Sequence, residues 1–353
     1  MDYSIFKGRR ILVTGSTGFK GSWLCTWLLQ LGADVSGFAL APASDAPLFD
    51  QLRLRDRIDQ HDGDIRDGET VRTMLAATKP EIVFHLAAQP LVRYSYDEPK
   101  LTFDTNVSGA VNLLDAIRGN DTVQALVFVT SDKAYRNKEW IWGYRENDEL
   151  GGHDPYSASK AAAEIVFAGY QDSYFMNRPG FAAASVRAGN VIGGGDMSMD
   201  RIVPDCIRAC INGDEIVLRN PRSTRPWQHV LEPLSGYMAV AAGLLERPDQ
   251  TRGAWNFGPD AENVRTVEEL AKTAIDVWGA GTLRIEGNAG QPHEANLLML
   301  NSDKAKTELS WRVHWDFEHA ATNTVSWYKR VHDGEDPIAV TEAQLSAFVG
   351  DAK

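Results

Sequence analysis

A phenol and an amine stand four residues apart in the segment Tyr156-Ser157-Ala158-Ser159-Lys160. On a helix that spacing puts both on one face. A cation beside the phenol lowers its pKa from about 10, and the phenolate can then take a hydroxyl proton while hydride leaves the same carbon. A Tyr and a Lys at this spacing are more often a surface pair. The odds turn on a second feature near the start of the chain, Thr14-Gly15-Ser16-Thr17-Gly18-Phe19-Lys20-Gly21. Its GxxGxxG pattern permits a tight turn and presents free helix amides to a pyrophosphate. Each feature alone has a structural explanation; together they predict a dinucleotide bound for oxidation at a carbinol carbon.

The candidate dinucleotide contacts are Gly15, Thr17, Gly18, Phe19, Lys20 and Gly21 in the turn, with Asp64 and Ile65 toward an adenine. A surface aspartate is an adequate alternative account of Asp64. Leu86, Ala87, Ala88, Asn106 and Thr130, with Tyr156 and Lys160 themselves, complete the set. NAD sites usually carry an acidic residue at the end of the second strand, whereas this chain has Ala39, Leu40 and Ala41 there. Lys20 is able to offset phosphate charge, so NAD is the expected cofactor and NADP stays compatible.

The elements that must position these groups follow from the apolar pattern. Residues 10–14 read as a short strand, the glycines come next, and 22–31 read as a helix ending at Gly32. That is the first strand, turn and helix of a doubly wound sheet. Residues 35–40, 81–87, 125–130 and 181–187 read as further strands, and 71–77, 106–117 and 156–174 as helices, the last started by Pro155. Between the strands at 35–40 and 81–87, the segment ending at Asp64 reads as merely polar. The alternation predicts an α/β fold, a doubly wound parallel (Rossmann) sheet covered on both faces, with a smaller, interleaved C-terminal substrate lobe. Residues 1–190 are assigned to the dinucleotide-binding domain and 191–353 mainly to the lobe, with segments near 225–260, including a strand at 255–258, returning to the main domain. Residues 267–278 read as a helix.

The 353 residues suit such a two-part protein. With 48 acidic against 36 basic residues and a net charge of -12, a nucleic-acid or anionic-membrane surface is not expected. An anionic small ligand would need local arginines. Cys25, Cys206 and Cys210 are too few and too irregular for a disulfide framework or a zinc site; Cys206 and Cys210 share a helix face and read as core. Lys7, Arg9 and Arg10 precede an apolar run that ends after Val13, and no stretch approaches the ~20 apolar residues of a membrane span. A cytoplasmic protein is expected.

Tyr156, Lys160 and Thr130-Ser131-Asp132-Lys133 resemble the extended short-chain dehydrogenase/reductase family, specifically its sugar-nucleotide 4,6-dehydratases, and the resemblance covers nearly the whole chain. TGSTGFKGSWL (14–24), LAAQPLVRYSYDEP (86–99), TSDKAY (130–135), GGHDPYSASKAAAE (151–164) and RPWQHVLEPL (225–234) are similar to the branch of that group acting on CDP-glucose. The resemblance implies a homodimer, paired through the helices at 106–117 and 156–174. It also implies a reaction without net redox change: transient oxidation at C4, loss of water across C5 and C6, and return of hydride to C6, giving CDP-4-dehydro-6-deoxyglucose for deoxysugar or surface-polysaccharide synthesis.

By the same resemblance Tyr156 takes the 4-hydroxyl proton, Ser131 hydrogen-bonds the C4 oxygen and Asp132 is the acid for the departing hydroxyl. Lys133 stands where dTDP-glucose and GDP-mannose enzymes carry a glutamate as the C5 base. Either it is neutral and takes that proton, or it is charged and stabilises the enolate. Asn190 and Arg225 fall at substrate-lobe positions, Gln89 and Arg93 follow the cofactor strand where the sugar should sit, and His293 with Glu294 lies in a segment similar to the family's nucleotide contact. Arg187, Arg201 and Arg222 join Arg225 as candidate phosphate forks. The loop 136–154, with Trp140, Trp142 and Tyr144, either covers the sugar or packs locally. No HExxH pattern arises and no metal is expected. The alternatives are a dTDP-, GDP- or UDP-hexose dehydratase, a 4-epimerase, which needs no acid such as Asp132, and an NAD-sensing module without turnover.

Overall fold

The computed structural model describes residues 3–42, 47–198, 201–286 and 297–351. Its frame is one sheet of seven strands: β1 Arg10–Thr14, β2 Asp34–Ala39, β3 Asp59–Asp62, β4 Ile82–His85, β5 Ala125–Val129, β6 Ala182–Ala188 and β7 Gly253–Phe257. They lie in the order β7-β6-β5-β4-β1-β2-β3, and every pair is parallel. Among the described residues its longer helices are α1 Phe19–Gln30, α2 Gly68–Thr78, α3 Gly109–Arg118, α4 Pro155–Tyr170, α5 Ile202–Asn212, α6 Leu231–Glu246, α7 Val267–Trp278, α8 Phe317–His332 and α9 Pro337–Asp351. This is the doubly wound α/β architecture that the alternation of strands and helices predicts. Strand order reverses between β1 and β4, which opens a crevice at their carboxyl ends, the place where such sheets bind ligands.

Strands β4, β5 and β6 are buried along their whole length, as parallel strands covered on both faces must be. Alternate residues supply two cores. Ile11, Val13, Phe84 and Val127 pack with Trp23 of α1 and Leu234 of α6, whereas Leu12, Val83, Leu126 and Phe128 pack with Val71, Leu113 and Phe167 of α2, α3 and α4.

Among the elements that the sequence reading left unassigned, which include α5, α8 and α9, two have a clear physical reason. The polar segment before Asp64 is β3, whose residues Asp59, Gln60, His61 and Asp62 pair with β2. It is the sheet's edge, so polar side chains have a solvent face to occupy. Helix α6 is buried on all sides from Leu231 through Leu244 and therefore shows no amphipathic period. Beyond β6, short strand pairs join Val191–Ile192 to Gln228–His229, Thr224–Pro226 to Val264–Thr266, and Glu215–Leu218 to Thr282–Ile285. Strand β7, also beyond residue 190, is hydrogen-bonded to β6 in the main sheet. All three cysteines are free and buried. Among the described residues no helix is long and apolar enough to cross a membrane, and no cluster of metal-ligating side chains occurs.

Candidate active site

The crevice is built on Thr14, the last residue of β1. Its hydroxyl lies 2.8 Å from His85 Nδ1 and accepts the Ala87 amide at 3.2 Å, which ties the ends of β1 and β4 together. Gly15 then turns with φ +74°, and a Cβ there would lie 2.8 Å from the Ala87 nitrogen. At Gly21 a Cβ would come within 2.1 Å of the Gly15 carbonyl oxygen. Both positions thus demand glycine. Thr17 Oγ1 donates to the Leu40 carbonyl at 3.0 Å and Ser16 Oγ to Gln60 at 2.8 Å, fastening the turn to β2 and β3. Helix α1 begins at Phe19, so the orphan amides of its first turn belong to the same turn that Gly15 and Gly18 shape.

The other proposed cofactor contacts fall around this turn. Asp64 is gripped by the Arg66 guanidinium, with Nε 2.9 Å from Oδ2, and hydrogen bonds from Arg66 hold its carboxyl below the usual range. Ile65 is buried beside it. Leu86, Ala87 and Ala88 leave β4 toward Gln89, whose amide donates to Asn106 Oδ1 at 2.8 Å. Asn106 in turn donates to Ser159 of α4 at 2.9 Å. Asn106 therefore locks the loop after β4 to the helix that carries Tyr156.

Helix α4 starts at Pro155 behind an Asp154 cap, which accepts the Ser157 amide at 2.9 Å. Tyr156 and Lys160 are both 7% exposed, and the Lys160 ammonium lies 6.0 Å from the centre of the phenol ring. Opposite them, at the end of β5, Ser131 Oγ donates to Asp132 Oδ1 at 2.9 Å and accepts the Lys133 amide at 3.2 Å. Lys133 is half-buried.

Burial dominates the electrostatics. It pushes the Tyr156 phenol up to about 12, against the hydrogen bond with Ser131. The sequence reading expected Lys160 to lower that phenol. Instead Lys160 is itself pulled down to about 8, because desolvation outweighs the charge of Glu164 beside it. The Asp132 carboxyl is raised by burial, opposed by Lys133, Ser131 and Lys20, which favours a protonated acid. Lys20 is lowered to about 8 by burial and then by Arg201 and Lys160, with Asp132 and Asp196 pulling the other way. Its ammonium therefore joins the charged cluster of Asp132, Lys160 and Arg201 although its backbone belongs to the glycine turn.

One expected phosphate fork is corrected. Arg187 is 3% exposed and forms a bidentate pair with Glu164, Nε to Oε1 at 2.8 Å and Nη2 to Oε2 at 2.9 Å, while Nη1 donates to the Tyr135 hydroxyl at 2.6 Å. It holds elements together instead of facing a ligand. Glu164 was not singled out in the sequence, although it follows Lys160 by one further step of four on the same helix face. Thr130 also donates to Glu164.

The family model for GDP-mannose 4,6 dehydratase matches residues 12–324. The chain belongs to that family. A CDP-glucose 4,6-dehydratase from Salmonella typhimurium is 45% identical to this family member over 99% of the present chain and 98% of its own. An NAD complex of UDP-glucose 4-epimerase from Thermus thermophilus is 25% identical, with a TM-score of 0.76 over 91% of this chain and 99% of that one. A dTDP-glucose 4,6-dehydratase from Streptomyces venezuelae, also holding NAD, has a TM-score of 0.78 at 24% identity over 93% and 99% of the two chains.

In this dehydratase-family chain the residues expected on the substrate side lie on several separate elements. Gln89 is buried and donates to Thr102 at 2.8 Å, and Arg93 is exposed on the short helix Val92–Asp97. Asn190 follows β6, and its carbonyl accepts the Gln228 amide at 3.1 Å. Arg201 opens α5 and pairs with Asp196 at 2.7 Å. Arg225 lies in the short strand Thr224–Pro226, and Arg222 is exposed just before it. His293 and Glu294 lie outside the described residues. In the aromatic loop, Tyr144 stacks on Tyr135 at 5.2 Å and Trp140 tilts against Tyr144 at 5.1 Å, so these rings pack locally, while Trp142 is 66% exposed.

Proposed function

We propose that this family member is a CDP-glucose 4,6-dehydratase, converting CDP-D-glucose to CDP-4-dehydro-6-deoxy-D-glucose and water. The observation that carries the proposal is Asp132, a carboxyl 3% exposed and held toward its protonated form. Ser131 hydrogen-bonds it at 2.9 Å and stands beside the Tyr156 phenol. A C4 epimerase has no step that needs such an acid. The likeness of 45% over 99% of the chain to the Salmonella enzyme supports CDP as the nucleotide.

NAD fits the turn at Gly15, where backbone approaches too closely for any side chain, and when bound it supplies a hydride acceptor for C4 and a donor for C6. The proposed holders are Gly15, Thr17, Gly18, Phe19, Lys20 and Gly21 at the pyrophosphate, Asp64 and Ile65 at the adenine, and Leu86, Ala87, Ala88, Asn106, Thr130, Tyr156 and Lys160 beyond. Tyr156 takes the 4-hydroxyl proton while Ser131 holds the C4 oxygen. With a ketone at C4 the C5 proton becomes acidic, and Lys133 serves that carbon as a base when neutral or as an enolate stabiliser when charged. Asp132 gives its proton to the C6 hydroxyl, which leaves as water. Gln89, Arg93, Asn190, Arg201, Arg225 and His293 are the proposed substrate contacts. On this reading residues 1–190 hold the cofactor and 191–353 mainly the nucleotide sugar. Ile165 on α4 and Phe103 before α3 are exposed apolar side chains that suit a homodimer, and a cytoplasmic location suits a nucleotide-sugar enzyme.

Purified protein incubated with CDP-, dTDP-, UDP- and GDP-hexoses tests the proposal. The alkaline absorbance of a 4-keto-6-deoxy sugar is expected with CDP-glucose, and its absence there refutes the assignment.

A further inference from the structure

Helix α6 places a phenol where a phenylalanine would fill the same space. Tyr237 is fully buried, its ring packs edge-on against Phe257 at 5.9 Å, and its hydroxyl has no hydrogen-bond partner among the described residues. Buried polar groups without a partner are few in folded proteins, and each calls for an explanation. The position of α6 supplies one. It lies across β5 and β6, the strands whose carboxyl ends carry Ser131 with Asp132 and Gly189 with Asn190. Phe257, on which the Tyr237 ring packs, closes β7 opposite Ala188 of β6, the residue just before Gly189, so the Tyr237 phenol lies at the same end of the sheet as Asp132. Asp132 Oδ1 already accepts from Ser131 at 2.9 Å. Oδ2 is pressed against Gly189, where a Cβ would lie only 2.9 Å away.

We propose that Tyr237 is a positioning residue for the acid of the dehydration, a donor held in reserve for the carboxylate that Asp132 becomes. The proposal rests on the dehydratase reading. In that step the C6–O bond breaks with its electron pair on oxygen, the Asp132 proton joins that oxygen to form water, and a negative charge stays on a side chain that is 3% exposed. The groups facing that charge are Lys133 and Ser131 on its own segment, Lys20 of α1, and Tyr156 and Tyr237 from α4 and α6. Of these, Tyr237 is the hydroxyl without a partner in the resting state among the described residues. An interaction that forms only as charge develops lowers the barrier instead of tightening substrate binding.

The test is Tyr237→Phe in the full chain. A stability at or above that of the unsubstituted protein is expected, since an orphan hydroxyl is removed. With CDP-glucose, kcat falls about tenfold to hundredfold at unchanged KM, the loss of one hydrogen bond to a charged group. Solvent deuterium still enters C5 of recovered substrate, because that exchange precedes loss of water. The infrared carboxyl signal of Asp132, identified by difference against Asp132→Asn, titrates at higher pH in the variant, because a donor to the carboxylate form is gone. Unchanged kcat with unchanged Asp132 titration overturns the proposal, as does a loss of stability with equal loss of exchange and product. The titration needs no substrate, so it decides Tyr237 even if CDP-glucose is not turned over. If Tyr237→Phe does not fold, ring-labelled tyrosine in the unsubstituted chain substitutes for it: the Tyr237 signal must move as Asp132 titrates, and indifference to Asp132→Asn overturns the proposal.

Discussion

Replacing Arg187 by methionine should remove a large share of the protein's stability. Arg187 and Glu164 are 4% and 3% exposed at their side chains, so neither charge has water to fall back on. Two hydrogen bonds from Arg187 to Glu164 would be lost, at 2.8 and 2.9 Å. Such bonds to charged groups contribute ~1.5–3 kcal/mol each, and breaking a buried pair costs ~3–5 kcal/mol, against a typical total of ~5–15 kcal/mol. A loss of about 4 kcal/mol is therefore expected in urea unfolding at neutral pH. The pH dependence carries a sign. Burial pushes the Glu164 carboxyl up, but Arg187 and the hydrogen bonds outweigh it and hold the group below its usual range. Without Arg187 the burial contribution is opposed by the Thr130 and Ser185 hydroxyls and by the more distant Lys160, so Glu164 takes up a proton as pH falls and the deficit narrows toward acid. The double variant Glu164→Gln, Arg187→Met removes both charges of the pair and should recover at least half of the loss. A single-variant deficit below ~1 kcal/mol, or one that widens toward acid, would falsify this account of the pair.

Gly21→Ala should leave the fold intact and weaken NAD binding about tenfold to hundredfold, following the ~1–3 kcal/mol of forced overpacking; undiminished affinity by calorimetry would contradict the close approach to the Gly15 carbonyl. Lys160→Met should stabilise the cofactor-free protein at pH 7 while abolishing turnover. The lowering of Lys160 from 10.5 to about 8 means that the native state carries a disfavoured charge below pH 8, a burden of ~3 kcal/mol that fades as pH rises toward 10.5. Unfolding at pH 7 and at pH 10 should show a gain at the first and little at the second, and no gain at pH 7 counts against it. Lys133→Met separates the two roles at C5. If solvent deuterium enters C5 of recovered CDP-glucose as fast as in the unsubstituted protein, Lys133 is not the base.

Strands β1, β2, β4, β5 and β6 were legible in the sequence because parallel strands buried on both faces must be nearly continuous apolar runs. Their ends shift by a residue or two, as boundaries do when one more backbone hydrogen bond decides them. Helix α1 begins at Phe19, three residues before the apolar stretch that advertised it, since its first turn answers to the glycines. Strand β3 was invisible for the opposite reason to α6. An edge strand with residues Asp59 to Asp62 shows no apolar face at all, whereas α6 shows nothing else. Hydrophobic periodicity detects half-buried elements, and these two lie at its limits.

At the site, what could be read was whatever depends on neighbours in sequence: Tyr156 with Lys160, Ser131 with Asp132 and Lys133, and the glycine spacing. What could not be read depends on burial. Arg187 looked like a phosphate fork until a partner 23 residues away claimed it. The lowering of Tyr156 by Lys160 was sound as Coulomb's law, yet desolvation is the larger effect in a pocket where both are 7% exposed. That same desolvation raises Asp132 and lowers Lys20 and Lys160, so one physical cause moves all four groups toward neutrality. A neutral carboxyl is the state that the proton-donor role proposed for Asp132 requires. The exclusion of water that produces this state comes from α6, from Gly189 against Asp132 and from the Glu164–Arg187 pair behind Lys160. The sequence motif names the proposed acids and bases, and packing by residues outside it shifts them toward their neutral forms.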